Sequence, residues 1–142
     1  MSKFTCTETR ENNTLIVTLS YDGGDASKNV TAKIAPHEGN NLFCFNVGGH
    51  DIIECLPDVP LADYQTGTPI LFPFPNRIED CLWQWEGKTH IQKKGGIPIQ
   101  LHSLVYDEPW EYKPPYADES GAYLTTFIKV DENHIGKVFH LS

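Results

Sequence analysis

Apolar and polar positions alternate along most of the chain, and Gly, Pro, Asn and Asp break the alternation at short intervals. Thr14–Ser20 is rich in β-branched residues and lies between Asn12-Asn13 and Asp22-Gly23-Gly24, which predicts a strand. Val30–Ala35 alternates as a half-buried strand does, and Pro36–Asn41 reads as a turn. Leu42–Val47 and Ile52–Leu56 flank Gly48-Gly49-His50-Asp51, a hairpin pattern. Leu82–Glu86 and Thr89–Gln92 around Gly87 repeat it. Residues 93–98 read as irregular, Leu101–Tyr106 as extended, and the run Tyr112-Lys113-Pro114-Pro115-Tyr116 as a break. Ala122–Val130 and Gly136–Leu141 read as two final strands around Asp131-Glu132-Asn133. Short strands at this spacing imply an all-β, antiparallel β-sandwich. With no repeat, linker or low-complexity stretch, residues 1–142 read as one domain.

Residues 57–80 depart from that rhythm. Pro57, Pro60, Pro69, Pro73 and Pro75 exclude both a helix and a central strand. Yet Ile70-Leu71-Phe72 and Phe74 are too apolar for a solvated loop. The expectation is a proline-stiffened loop packed on the body, the kind of segment on which binding groups are held.

Composition narrows the function. The 142 residues carry a formal net charge of −8, with 39% hydrophobic and 11% aromatic residues, which is too rich for disorder. An acidic chain lacks the Lys/Arg footprint of a nucleic-acid binder. No stretch approaches the roughly 18 apolar residues of a membrane span, and the polar start lacks a signal core. A reducing cytoplasm is the simplest compartment, so Cys6, Cys44, Cys55 and Cys81, none in C-x-x-C spacing, read as structural thiols rather than disulfides. The six histidines are scattered singly, so no metal site is expected. Gly87-Lys88-Thr89 lacks the earlier glycine of a phosphate loop, that position being Leu82.

Three segments carry chemistry together. They are Gly67-Thr68-Pro69-Ile70-Leu71-Phe72-Pro73-Phe74-Pro75-Asn76-Arg77-Ile78, then Leu101-His102-Ser103-Leu104-Val105, then Asp107-Glu108-Pro109-Trp110. In order and spacing they resemble the aldose 1-epimerase (galactose mutarotase) family, with its G-x-P-x-L-F-P-x-P-N-R-I loop, its H-G pair and a following Trp. The family's usual glycine after the histidine is Ser103 here. Ile34–Leu42 is also similar to the family's opening strands, and the resemblance spans roughly residues 30–130.

The resemblance implies a large antiparallel β-sandwich that binds a hexose in an open cleft and interconverts its α and β anomers. A base takes the anomeric hydroxyl proton, an acid protonates the ring oxygen, the ring opens, and reclosure after rotation gives the other anomer. It implies no cofactor and no metal. It assigns Asn76 and Arg77 to the sugar hydroxyls, and His102 to a catalytic contact near the ring oxygen. An amide that both donates and accepts, and a guanidinium fork, suit that task. The family's acid histidine and base glutamate lie beyond any counterpart of residue 142, so residues 1–142 resemble the N-terminal part of a longer fold and are expected to be inactive alone. Neither His134 nor His140 stands in the acid-histidine context.

Plainer readings compete. Arg77, beside Glu79-Asp80, is also what a solvated arginine looks like, and His102 between leucines is also a core histidine. Trp83, Trp85 and Trp110 read first as core. The chain could instead be a non-catalytic carbohydrate-binding module, or a truncated sandwich that self-associates or is completed by a second chain. A phosphorylated-hexose epimerase would want more than Arg10 and Arg77 to hold its phosphate.

Overall fold

The computed structural model describes residues 3–54, 67–91, 93–94, 97–98, 101–102 and 104–130. Within them the chain is built of antiparallel strands, with one 3₁₀ turn at Ala26–Lys28 and a tight turn at Glu79–Cys81 in which Asp80 and Cys81 have positive φ. No helix among these residues is long and apolar enough to cross a membrane.

Five strands form an antiparallel sheet in chain order: β1 (Phe4–Glu11), β2 (Thr14–Tyr21), β3 (Val30–Ala35), β4 (Asn41–Val47) and β5 (His50–Ile53). The strands expected near 14–20, 30–35 and 42–47 are all present. β1 was not expected. It is an edge strand whose Thr5, Thr7 and Thr9 supply β-branched positions while most of its residues stay exposed. Three consecutive residues of β2, Leu15, Ile16 and Val17, are buried. Successive strand residues point to opposite faces, so both faces are covered there. Ile16 packs with Ala35, Phe43 and Cys44. Val17 shares its face with its register partner Glu8, and the Tyr112 hydroxyl reaches Glu8 Oε2 at 3.3 Å.

Tyr112 belongs to a hairpin laid against β1 and β2. It joins the strands β10 (Glu111–Ala117) and β11 (Ala122–Phe127). Residues 112–116 were expected to interrupt the strands, but they lie inside β10. A bulge between Lys113 and Tyr116 absorbs Pro114 and Pro115, whose missing N–H groups therefore leave no ladder bond unmade. In chain order, two smaller hairpins come between the sheet and this hairpin. One pairs β6 (Leu82–Trp85) with β7 (Lys88–Ile91) through Glu86 and Gly87, both at positive φ. The other pairs the two-residue strands β8 (Lys93–Lys94) and β9 (Ile97–Pro98), where an irregular stretch was expected. The final strand expected at 136–141 and the first half of the proline loop lie outside the described residues.

A second core cluster anchors the C-terminal half. Leu104 and Val105 are fully buried, with Trp110, Ile128 and Val130 packed on them, and Trp110 Nε1 donates to the Val105 carbonyl at 3.1 Å. Of the three tryptophans expected in the core, Trp110 is there. Trp83 is half-buried and stacked on His90, with centroids 4.5 Å apart, while Trp85 is 61% exposed, a hairpin side chain standing off the body. The cysteine expectation is also corrected. Cys6 and Cys81 are free thiols, Cys44 is disulfide-bonded, and Cys55 lies outside the described residues.

Candidate functional site

Three loops meet at one end of the sheet and are laced by main-chain hydrogen bonds. The hub is the turn between β3 and β4, residues 36–40. Gly39 N–H donates to the Glu108 carbonyl at 3.0 Å, and Trp110 N–H donates to the Pro36 carbonyl at 3.0 Å, fastening the third loop. Ile70 N–H donates to the Gly39 carbonyl at 3.3 Å, and Thr68 N–H reaches both the Leu42 carbonyl (3.1 Å) and Asn41 Oδ1 (2.8 Å), fastening the second. Gly39 has φ +69°, and a Cβ there would strike the Tyr106 carbonyl, so glycine is required on both counts.

The proline loop was expected to pack through its apolar side chains. Leu71 and Phe74 are half-buried, but Ile70 and Phe72 are 42% and 48% exposed. The loop is tied down by its backbone instead, including a bond from Leu104 N–H to the Phe72 carbonyl at 3.1 Å. The peptide between Phe72 and Pro73 is cis.

All three residues singled out from the sequence come together. Arg77 and Leu101 form an isolated antiparallel bridge. One step along it, His102 N–H donates to the Asn76 carbonyl at 2.9 Å, while Asn76 N–H donates back to the His102 ring at Nδ1, 3.2 Å away. Both residues are left-handed, with φ 63° at Asn76 and 54° at His102. Asparagine tolerates that region, and histidine does so more often than most. Asn76 and Arg77 are exposed and His102 is half-buried. The extended run expected over 101–106 is therefore not formed. Leu101 alone pairs, His102 turns left-handed, and the chain bends through 104–107 so that Leu104 and Val105 reach the core.

Sequence reasoning passed over Tyr106. Its ring stands edge-on to the imidazole of His102, with centroids 5.6 Å apart and planes at 70°. The two residues are four apart across a tight bend, and only knowledge of the bend would have joined them. Among the described residues no group of three or more His, Cys, Asp or Glu side chains could hold a metal ion. The backbone brings together residues of the types a polyhydroxylated ligand requires: an amide, a cationic fork of donors and an imidazole.

A family model described as aldose 1-epimerase matches residues 25–141. The chain belongs to the aldose 1-epimerase family. No match was found among curated proteins or among solved structures. The matched span takes in the hub turn, the proline loop and the His102 loop, so the whole laced junction lies within the aldose 1-epimerase region. The antiparallel all-β architecture is that of an aldose 1-epimerase-type β-sandwich.

Proposed function

We propose that this chain handles free hexoses as an aldose 1-epimerase does, and that Asn76, Arg77 and His102 are its sugar-orienting residues. The observation that carries the reading is the two-way pairing of Asn76 with His102 beside Arg77, inside a junction held by backbone bonds. Rigid main-chain support fixes where these groups stand, and an orienting site needs that before any side-chain chemistry. In this reading Arg77 and the Asn76 amide hold hydroxyls, while the His102 imidazole meets the region of the ring oxygen. The reaction gains and loses no atoms: the anomeric hydroxyl gives up a proton as its oxygen becomes a carbonyl, the bond from C1 to the ring oxygen breaks, the ring oxygen takes up a proton, and after rotation about C1–C2 the ring recloses from the other face.

The acid–base pair for those transfers is not among the orienting residues, and the reading places it outside residues 1–142. These residues form one mutarotase-like β-sandwich domain, the N-terminal part of the family fold. Polarimetry of freshly dissolved α-glucose or α-galactose tests the proposal. A protein carrying the acid–base pair speeds the approach to anomeric equilibrium, and His102→Ala lowers that rate by roughly 100-fold, the scale on which acid–base or polarising groups act. An unchanged rate removes His102 from the site.

The second reading, a carbohydrate-binding module without turnover, draws on the exposure of Asn76 and Arg77 at a loop edge. Calorimetry with hexoses on residues 1–142, beside polarimetry of the same sample, separates the two. The reducing cytoplasm expected from the polar start and the cysteine spacing is opposed by the disulfide at Cys44, because cytosolic thiols are kept reduced. Alkylating thiols before cell lysis and counting them decides the compartment.

A further inference from the structure

We infer that Asn76 has a second role, carried by its backbone: its N–H fixes His102 as the neutral tautomer with the proton on Nε2. A neutral imidazole has one N–H donor and one bare acceptor nitrogen. The Asn76 amide N–H points at Nδ1 from 3.2 Å, so Nδ1 is the acceptor and the ring proton sits on Nε2. The return bond from His102 N–H to the Asn76 carbonyl, 2.9 Å, closes a two-bond ring that holds both main chains in register. Tyr106, edge-on at 5.6 Å, braces the ring against rotation. The nitrogen left to meet a ligand is thus a donor and not an acceptor.

This deepens the sugar reading and rests on it for the identity of the ligand, though not for the tautomer itself. A sugar hydroxyl can bond to either kind of nitrogen. The ring oxygen of a pyranose has lone pairs and no hydrogen, so only an N–H can engage it. Fixing the proton on Nε2 therefore selects a contact to an ether-type oxygen over one that would require the sugar to donate. The backbone conformation is part of the device. The N–H of residue 76 reaches the ring from a left-handed φ of 63°, which asparagine and glycine adopt and β-branched residues resist.

The test is a long-range proton–nitrogen NMR spectrum of the ¹⁵N-labelled chain, with His102→Gln used to assign the ring. The expected pattern is a pyridine-type shift at Nδ1 and a pyrrole-type shift at Nε2. A pyrrole-type Nδ1, or averaged shifts for both nitrogens, overturns the inference. Asn76→Gly keeps the N–H and the permitted φ but removes the amide. It should leave the tautomer unchanged while hexose affinity falls about tenfold, the fold-change of one lost hydrogen bond. A scrambled tautomer in Asn76→Gly also overturns the inference, because the side chain would then be what fixes the ring. Asn76→Val should mix the tautomers if it folds, and if it does not, the wild-type and glycine spectra decide alone. A fixed tautomer in a chain that binds no hexose leaves this inference standing and removes the sugar reading.

Discussion

At the scale of single residues, the junction depends on positions where one atom decides the outcome. Gly39 is the sharpest. An alanine there combines a left-handed backbone, costing about 1–2 kcal/mol, with a methyl driven at the Tyr106 carbonyl, costing about 1–3 kcal/mol. Gly39→Ala should therefore lose on the order of 2–5 kcal/mol in urea unfolding, whereas Gly49→Ala, with open space around it, should lose only the backbone part. Tyr112 makes a different prediction. Its phenol is held above its ordinary value, first by removal from water and then by the negative charge and hydrogen bond of Glu8. The fold thus favours the neutral phenol. That preference contributes stability in full below the unfolded tyrosine pKa near 10 and is lost as pH rises through the higher folded value. Alkaline thermal melts should fall less steeply for Tyr112→Phe than for the wild type. In ultraviolet difference spectra, Glu8→Gln should move this titration back toward the ordinary value.

At the scale of elements, the bend after His102 shows how a small core supports a surface cluster. Leu104 is fully buried, and its N–H also ties the proline loop at Phe72. Leu104→Ala should cost about 2–5 kcal/mol by opening a cavity under Trp110. It should also weaken hexose binding, measured calorimetrically at a temperature where the variant is still folded. Strands with clear alternation, such as Val30–Ala35, were legible because the core face writes period two into the chain. β1 was not, since an edge strand with one half-covered face carries Glu, Arg and Thr without a matching apolar row. β10 was hidden by Pro114-Pro115, because a bulge that tolerates them is a property of the pair and not of the segment. The proline loop and His102 stood out as motifs. The left-handed turn at His102 did not, as nothing in Leu101-His102-Ser103 requires a positive φ. The contact of Tyr106 with the imidazole follows from that turn and was hidden with it.

At the scale of the whole molecule, the five-stranded sheet presents an apolar row. Cys6, Leu19, Ala32, Phe45 and Ile53 are successive register partners on one face, and all are half-buried among the described residues. The adjoining row of Phe4, Tyr21, Val30 and Val47 is also half-buried, with the Phe4 and Tyr21 rings 4.8 Å apart. A sandwich covers such a face with a second layer, and β10–β11 supplies that cover over β1 and β2. The prediction is that residues 1–142 self-associate through the part of this face on β3, β4 and β5, around Phe45. Sedimentation velocity should show mass rising with concentration, and Phe45→Lys should return the chain to monomer. A wild type that stays monomeric across the concentration range would sink it.

The three loops are stitched by peptide groups, and that has a practical corollary for anyone who wishes to change what the protein recognises. Every residue except proline carries the same N–H and C=O, so the stitching bonds themselves do not depend on which side chains stand at the exposed positions Ile70 and Phe72. Changes at these two positions that keep the Ile70 N–H leave the backbone bonds under Asn76, Arg77 and His102 in place. A library built there would vary the ligand's surroundings while the framework stays constant.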